Sequence, residues 1–203
     1  MSAFHGGILL LRLVLVSALL VPALLGAQSP SGSSPEAANR PAILGTLDKG
    51  KYSNTMIGFE LQLDPACTLA DEEAAISWST KFSQRLNLDL RCGDNAILLS
   101  SFPLHSDEKL DLKRDAQVSV EGAMSGSGFK RRGGLQSHTT GKTEILVQEL
   151  TGRDQTGQEL LGFYNAFMVG RRYVSVFAIG PKENEATLRQ AADKLTITPM
   201  PAK

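Results

Sequence analysis

The chain has 203 residues, and its 21 basic and 21 acidic side chains give a formal net charge of zero at pH 7. This balance offers no general electrostatic attraction to nucleic acid, which argues against that class of partner. With hydrophobic residues at 42%, the chain is long and apolar enough to bury the core of one domain.

The first 27 residues have the layout of a secretory signal peptide. Arg12 precedes an apolar run, and the small residues Gly26 and Ala27 follow that run. We therefore predict cleavage after Ala27, a periplasmic or extracellular location, and no membrane association of the mature protein. The alternative is an uncleaved anchor, since the apolar stretch is just long enough to cross a bilayer.

The residues after the predicted cleavage site are predicted to form a linker and one domain. Residues 28–42 are rich in Ser, Pro and Ala, and such a segment buries too little apolar surface to offset the entropy of ordering. We predict a disordered linker there and a single domain over residues 43–199.

Two cysteines, Cys67 and Cys92, are the whole cysteine content of the chain. In an exported protein an even count favours a disulfide, which would close a loop of 25 residues. Two buried thiols are the alternative, and the spacing excludes a CxxC redox or zinc site.

In the first half of the domain the apolar spacing predicts two core strands and a helix. Alternation from Ile57 to Leu63 predicts a strand that ends at Pro65. Thr68 is predicted to cap an amphipathic helix of about four turns, with Ala75, Trp78, Phe82 and Leu86 on its apolar side. Residues 96–102 are predicted to form the second strand.

The second half predicts a helix, a loop and a three-stranded meander. The spacing from Leu112 to Ala123 is helical, and the glycine-rich segment 126–134 is interpreted as a flexible loop. Gly170 and Arg171 suit a two-residue hairpin turn. The three predicted strands are residues 143–151, 159–169 and 172–179.

A final helix is predicted with Pro181 at its first position and with Leu188, Ala191, Ala192 and Leu195 as its buried side. In residues 172–179 both alternation classes are apolar, so both faces of the sheet should be covered. The predicted fold class is therefore α+β, an α/β/α sandwich with a largely antiparallel sheet and helices on both faces.

The order of these elements, together with YSN at 52–54 and GFELQLDP at 58–65, resembles the PsbP-like fold. The resemblance covers residues 45–198, although Ala66 and Cys67 stand where a tryptophan often follows the proline. Understood proteins of this fold act mostly as accessory or binding proteins. The resemblance thus implies an exported, non-catalytic module with an unknown protein or small-molecule ligand.

The remaining sequence motifs assign no catalytic, cofactor-binding or metal-ligating residue, so no enzyme activity is predicted. The segment TTGKT at 139–143 lacks a phosphate-binding loop because Gln136 stands where that motif needs glycine. His105 and His138 have no metal-ligand spacing. A membrane-tethered assembly factor, or a hydrolase whose site is built from dispersed residues, are the alternative functions.

One segment is singled out as a candidate partner contact: Phe129, Lys130, Arg131 and Arg132 in the predicted loop. Binding residues concentrate on loops that a rigid scaffold holds. Phe129 could supply an apolar anchor, and the three cations could contact an anionic partner. The alternative is a solvated linker with Phe129 folded onto the core.

Overall fold

The computed structural model describes residues 42–81, 84–104, 111–125, 127–193 and 195–197. The predicted signal peptide, most of the predicted linker, Phe82 and His105 lie outside the described residues. Strands and helices follow the chain in this order: β1 Thr46–Asp48, β2 Lys51–Asn54, β3 Phe59–Gln62, β4 Thr68–Leu69, α1 Glu72–Lys81, β5 Leu86–Cys92, β6 Asn95–Pro103, α2 Leu112–Met124, β7 Lys130–Thr140, β8 Thr143–Arg153, β9 Glu159–Val169, β10 Arg172–Pro181, α3 Glu185–Asp193 and β11 Leu195–Ile197.

The strands form two antiparallel sheets. The small sheet has the order β1-β2-β3-β11, and the large sheet has the order β4-β5-β6-β10-β9-β8-β7. The α+β class, with a mostly antiparallel sheet and helices on both faces, is confirmed. The separate small sheet was not predicted, because the pairing of β11 with β3 joins segments far apart in the sequence.

The two faces of the large sheet pack against different layers. One face, which we call the small-sheet face, shares a core with the small sheet, α1 and α3; Leu99 and Phe167 belong to it. The opposite face, the α2 face, packs against Ala116, Val120 and Ala123 of α2. Because both faces carry apolar side chains, β9 and β10 are buried along nearly their full length.

Asn54 organises the turn between β2 and β3. Its amide nitrogen donates to the carbonyl oxygen of Ile43 at 2.8 Å and to Tyr52 Oη at 3.0 Å, and its Oδ1 accepts from the Ile57 amide at 2.9 Å. Asn54 is fully buried, so these hydrogen bonds replace the water that its side chain loses. The polar residue in this turn thus holds the first hairpin to the segment before β1.

The exit from β3 leads directly to the disulfide. Asp64 Oδ1 accepts from the Ala66 amide at 2.8 Å, and the Asp64 carbonyl accepts from the Cys67 amide at 3.0 Å. These bonds turn the chain at Pro65, where no amide proton is available for a ladder. Cys67 and Cys92 are joined, with their Cα atoms 4.1 Å apart, so the predicted disulfide is present.

The first predicted helix was placed wrongly at both ends. Thr68 and Leu69 form β4, and Asp71 caps α1 instead, since its Oδ1 accepts from the Ala74 amide at 2.7 Å. Leu86 opens β5, in which Leu86, Leu88 and Leu90 alternate as buried residues. This period of two is a strand signal; assigning Leu86 to the helix concealed it.

The helix predicted from Leu112 is confirmed as α2, whose N-terminus is capped by Asp111. The loop predicted over 126–134 is wrong from Lys130 onward, because Lys130–Thr140 is β7, the last strand of the large sheet. A bulge between Arg132 and Gln136 accommodates the two consecutive glycines of this strand, Gly133 and Gly134.

The three-stranded meander is confirmed as β8, β9 and β10. β9 has its predicted range, and β8 and β10 each extend two residues further. Gly170 has φ of +58°, a left-handed conformation that glycine adopts without a Cβ penalty. It forms the predicted hairpin turn, and Val169 lies opposite Arg172.

The C-terminal helix begins later than predicted. Pro181 is the last residue of β10, a short 3-10 helix of Lys182–Asn184 follows, and α3 then starts at Glu185. Leu188 is buried as expected. Leu195 lies in β11 and not in the helix.

Candidate functional sites

The predicted partner contact divides into one buried and three exposed side chains. Phe129 is 8% exposed, and its ring packs 6.0 Å from that of Phe177, so the alternative in which Phe129 folds onto the core is correct. Lys130, Arg131 and Arg132 are exposed on β7. The structure therefore presents three cations on an edge strand, without the apolar anchor.

Two of these cations already have acidic neighbours. Arg131 pairs with Glu121 of α2 at 3.2 Å. Arg132 lies 3.4 Å from Glu185 and 3.9 Å from Glu149. Among the described residues, no acidic group is paired with Lys130.

Arg132 belongs to a network that connects the large sheet with α3. Arg189 contacts Glu149 at 2.8 Å and Glu185 at 3.0 Å, and its guanidinium lies 4.9 Å from the centre of the Phe163 ring. Hydrogen bonds from Arg189 and then Arg132 lower the pKa of the Glu185 carboxyl below its usual value. The two arginines are exposed and the two carboxylates are half-buried at the surface, so each pair stabilises the fold little and can exchange with other charged groups.

A second candidate site is a cleft of ≈ 210 Å³ beside the disulfide. Gln62, Asp64 and Pro65 form one wall, and Leu188 of α3 lies among the residues of the other. Asn95 is nearly buried within it and accepts a hydrogen bond from Asn184 at 3.1 Å. A Cβ at Gly180 would collide with Asn95 Oδ1, so glycine at this position leaves room for the amide.

The cleft has little of what an acid–base or metal-assisted reaction requires. Of the described residues that line it, Asp64 is the one with an ionisable side chain; the cysteine in its wall is disulfide-bonded. Within the described ranges no cluster of three or more His, Cys, Asp or Glu side chains could hold a metal ion.

Two tyrosine hydroxyls meet under α2. Tyr164 Oη and Tyr173 Oη are 2.9 Å apart, and Tyr173 Oη also lies 3.5 Å from Ser119 Oγ of the helix. Burial raises the pKa of both hydroxyls above their ordinary value. The pair satisfies two buried polar groups and links the helix to the sheet, which is a structural role.

Sequence reasoning did not find the cleft, the tyrosine pair or the edge position of β7. The cleft joins residues far apart along the chain, and no local pattern indicates such contacts. Tyr164 and Tyr173 are nine residues apart on the two strands of the predicted hairpin, but their contact depends on the register in which these strands pair. TTGKT, rejected as a phosphate-binding loop, contains the β7–β8 turn at Gly141 and Lys142. His138 is exposed on β7.

Comparison with models of known protein families gives no match, and comparison with curated protein sequences gives none either. Solved structures do match. CyanoP, the PsbP of the cyanobacterium Synechocystis, is 13% identical with a TM-score of 0.52, over 83% of this chain and 99% of that protein. This likeness shows that the chain has a PsbP-like fold, as its sequence predicted.

Two further structures match over much of the chain with lower TM-scores. LpqN of Mycobacterium tuberculosis, described as involved in cell envelope biogenesis, is 16% identical, with a TM-score of 0.47 over 70% of this chain and 83% of that one. A protein of Bacteroides thetaiotaomicron is 9% identical, with a TM-score of 0.48 over 74% of this chain. This chain spans about half the length of the Bacteroides protein, 49%.

Proposed function

We propose that this protein is an exported, non-catalytic accessory module that binds an anionic partner through the three cations of β7. The observation that carries the proposal is the position of Lys130, Arg131 and Arg132, all exposed on the last strand of a sheet whose two faces are covered. Since those faces are occupied, an edge is where the large sheet can meet another molecule.

Charge supports an anionic partner. The sequence of β7 contains one lysine, two arginines and one histidine, and no acidic residue. Arg131 and Arg132 have acidic neighbours within the chain, but exposed ion pairs contribute at most about 1 kcal/mol each. Replacing these neighbours by the carboxylates or phosphates of a partner therefore costs little free energy. Arginine also binds such groups through two parallel hydrogen bonds.

Export is supported by the disulfide and by the N-terminal sequence. Disulfides persist in oxidising compartments such as the bacterial periplasm and the cell exterior, and Cys67 and Cys92 are joined. No helix in the described part of the chain is long and apolar enough to cross a membrane. The absence of catalysis is proposed because the cleft brings together no set of ionisable groups for acid–base chemistry.

The proposal is tested by capture of partners from the native envelope fraction at low salt, followed by affinity measurement with the purified partner. We expect Lys130/Arg131/Arg132→Ala to bind at least about tenfold more weakly, with a smaller dependence on salt. The matched control is Lys51/Arg153/Lys182→Ala, which removes three exposed cations on other elements, each paired with a glutamate. Equal affinity of the β7 variant and the wild type would refute the proposal.

A further inference from the structure

The large sheet ends in two very different edges. β4 at one end has two residues, whereas β7 at the other end has eleven. In the described part of the chain no strand pairs with the outer side of β7. A long edge strand presents a row of unpaired amide and carbonyl groups, which is a template for another strand.

The second half of β7 is a regular strand. Gln136 to Thr140 pair with Val147 to Thr143 without a register shift. A two-residue turn directs the carbonyl of Thr140 toward the amide of Thr143, and the direction then alternates along an antiparallel strand. The backbone groups of Ser137 and Thr139 therefore point away from β8.

The bulge fixes the first half of β7 relative to this regular half. Buried Gln148 donates from Nε2 to the carbonyl of Gly133 at 3.2 Å and to that of Glu149 at 2.9 Å. This contact ties the bulge to β8. The cations at 130–132 consequently lie beyond one end of the regular strand, a few residues from Gln136.

We propose that residues 136–140 accept an extended acidic segment of a partner protein as an added antiparallel strand. The backbone of Ser137 and Thr139 would supply the ladder hydrogen bonds, and acidic residues that follow the paired stretch would reach Lys130, Arg131 and Arg132. This inference rests on the proposed function and specifies the chemistry of the anionic partner, an extended acidic segment of a protein. Backbone pairing would provide affinity, as in other cases of strand addition. The cations would determine the direction in which the partner strand runs along β7.

Charge decides between an acidic segment and a second copy of this chain. Pairing of two β7 strands would bring together two segments that each carry three cations and no carboxylate. Neither strand would offer an acid to the other's Lys130. An acidic segment satisfies the same cations and the same backbone edge at once.

The test uses a synthetic peptide of alternating Val and Thr followed by a run of Glu, labelled for fluorescence anisotropy. We expect it to bind the wild type, and we expect Ser137→Pro and Thr139→Pro to weaken binding at least about tenfold. Proline removes an outward amide and is tolerated on an edge strand. Ser137→Ala and Thr139→Ala are the matched controls, because they keep the amide, and they should bind as the wild type does.

Two further probes separate backbone pairing from charge. A peptide with N-methylated valines loses its own backbone donors and should bind much more weakly, whereas a peptide with Lys in place of Glu should not bind. In the wild type, peptide binding should slow hydrogen exchange of the Ser137 and Thr139 amides. That measurement remains decisive if a proline variant fails to fold.

The outcomes distinguish this inference from the proposed function. If Lys130/Arg131/Arg132→Ala loses binding of the native partner while both proline variants keep it, strand addition is wrong and the charge contact stands. If the proline variants lose binding and the alanine variant keeps it, the charge contact is wrong. A wild type that dimerises in sedimentation, with monomeric proline variants, would overturn the acidic segment in favour of a second copy.

Discussion

Asn165 is a polar residue in the core, and no other described residue offers its side chain a hydrogen bond. Its side chain is 1% exposed, and within the described ranges neither its amide nitrogen nor its oxygen has a hydrogen-bond partner. Val147 and Val176 lie opposite it on the neighbouring strands. A buried amide that lost water without gaining a partner destabilises the native state.

We predict that Asn165→Val raises the free energy of unfolding by about 1–2 kcal/mol, because valine fits this strand and carries no polar atom. The measurement is urea unfolding followed by fluorescence. Asn54→Val is the control, and its effect should have the opposite sign. Because Asn54 makes three hydrogen bonds, this substitution should lower the free energy of unfolding by about 2–4 kcal/mol. A loss of stability in Asn165→Val would show that this amide does have a partner.

The tyrosine pair predicts instability in alkali. Burial raises the pKa of Tyr164 and Tyr173 in the folded protein, whereas an unfolded tyrosine ionises near pH 10. Stability is therefore fully present below about pH 10 and falls as the pH rises further, by about 1.4 kcal/mol per pH unit for each tyrosine. Unfolding midpoints measured between neutral pH and strong alkali test this slope.

The matched variant for this prediction is Tyr164→Phe/Tyr173→Phe. It removes both ionisable hydroxyls together, so that neither is left without the other. Its stability should decline less steeply above pH 10 than that of the wild type. Parallel curves for the two proteins would contradict the assigned cause.

At the level of elements, the disulfide connects the start of β4 with the end of β5. Cys67 precedes Thr68, and Cys92 is the last residue of β5. The bond closes a loop of 25 residues that includes α1. Cys92 also lines the cleft.

We predict that Cys67→Ala/Cys92→Ala lowers the free energy of unfolding by about 3.5 kcal/mol, the value that loop-closure entropy gives for this separation. Urea unfolding of the variant and of the oxidised wild type measures the difference. Addition of reductant should destabilise the wild type and leave the variant unchanged. A difference below about 1 kcal/mol would indicate that the unfolded chain is already constrained here.

Elements with strong internal patterns were predictable from the sequence. The meander from β8 to β10 and helix α2 have long apolar repeats, and both were placed correctly. β7 was not, because its eleven residues contain one large apolar side chain, Leu135, and a glycine pair. Its identity as a strand comes from pairing with β8, which is a tertiary contact.

The candidate sites were less predictable than the fold. Composition identified the cations at 130–132, but their position on a sheet edge depends on strand order, which is a global property. The prediction that Phe129 anchors a partner was wrong, because its ring is buried in the space beside Gly152, which has no side chain to fill it. The cleft joins Asp64, Asn95 and Leu188, whose proximity requires both sheets and α3.

At the scale of the whole molecule, we predict that the mature protein begins at Gln28 and is found outside the cytoplasm. The reason is the signal-peptide layout of residues 1–27. Intact mass of the protein isolated from its native source measures the start of the chain. A mass that includes residues 1–27 would support the tethered assembly factor instead.

The hydrogen bonds at the start of the domain have a mechanical consequence. The carbonyls of Ile43 and Leu44 accept from Asn54 and Tyr52, two buried side chains of β2. Tension applied to the chain ahead of Ala42 would therefore be shared with an inner strand of the small sheet before it could peel β1 from the edge. A force applied at that end can therefore act on the domain without first separating β1 from β2.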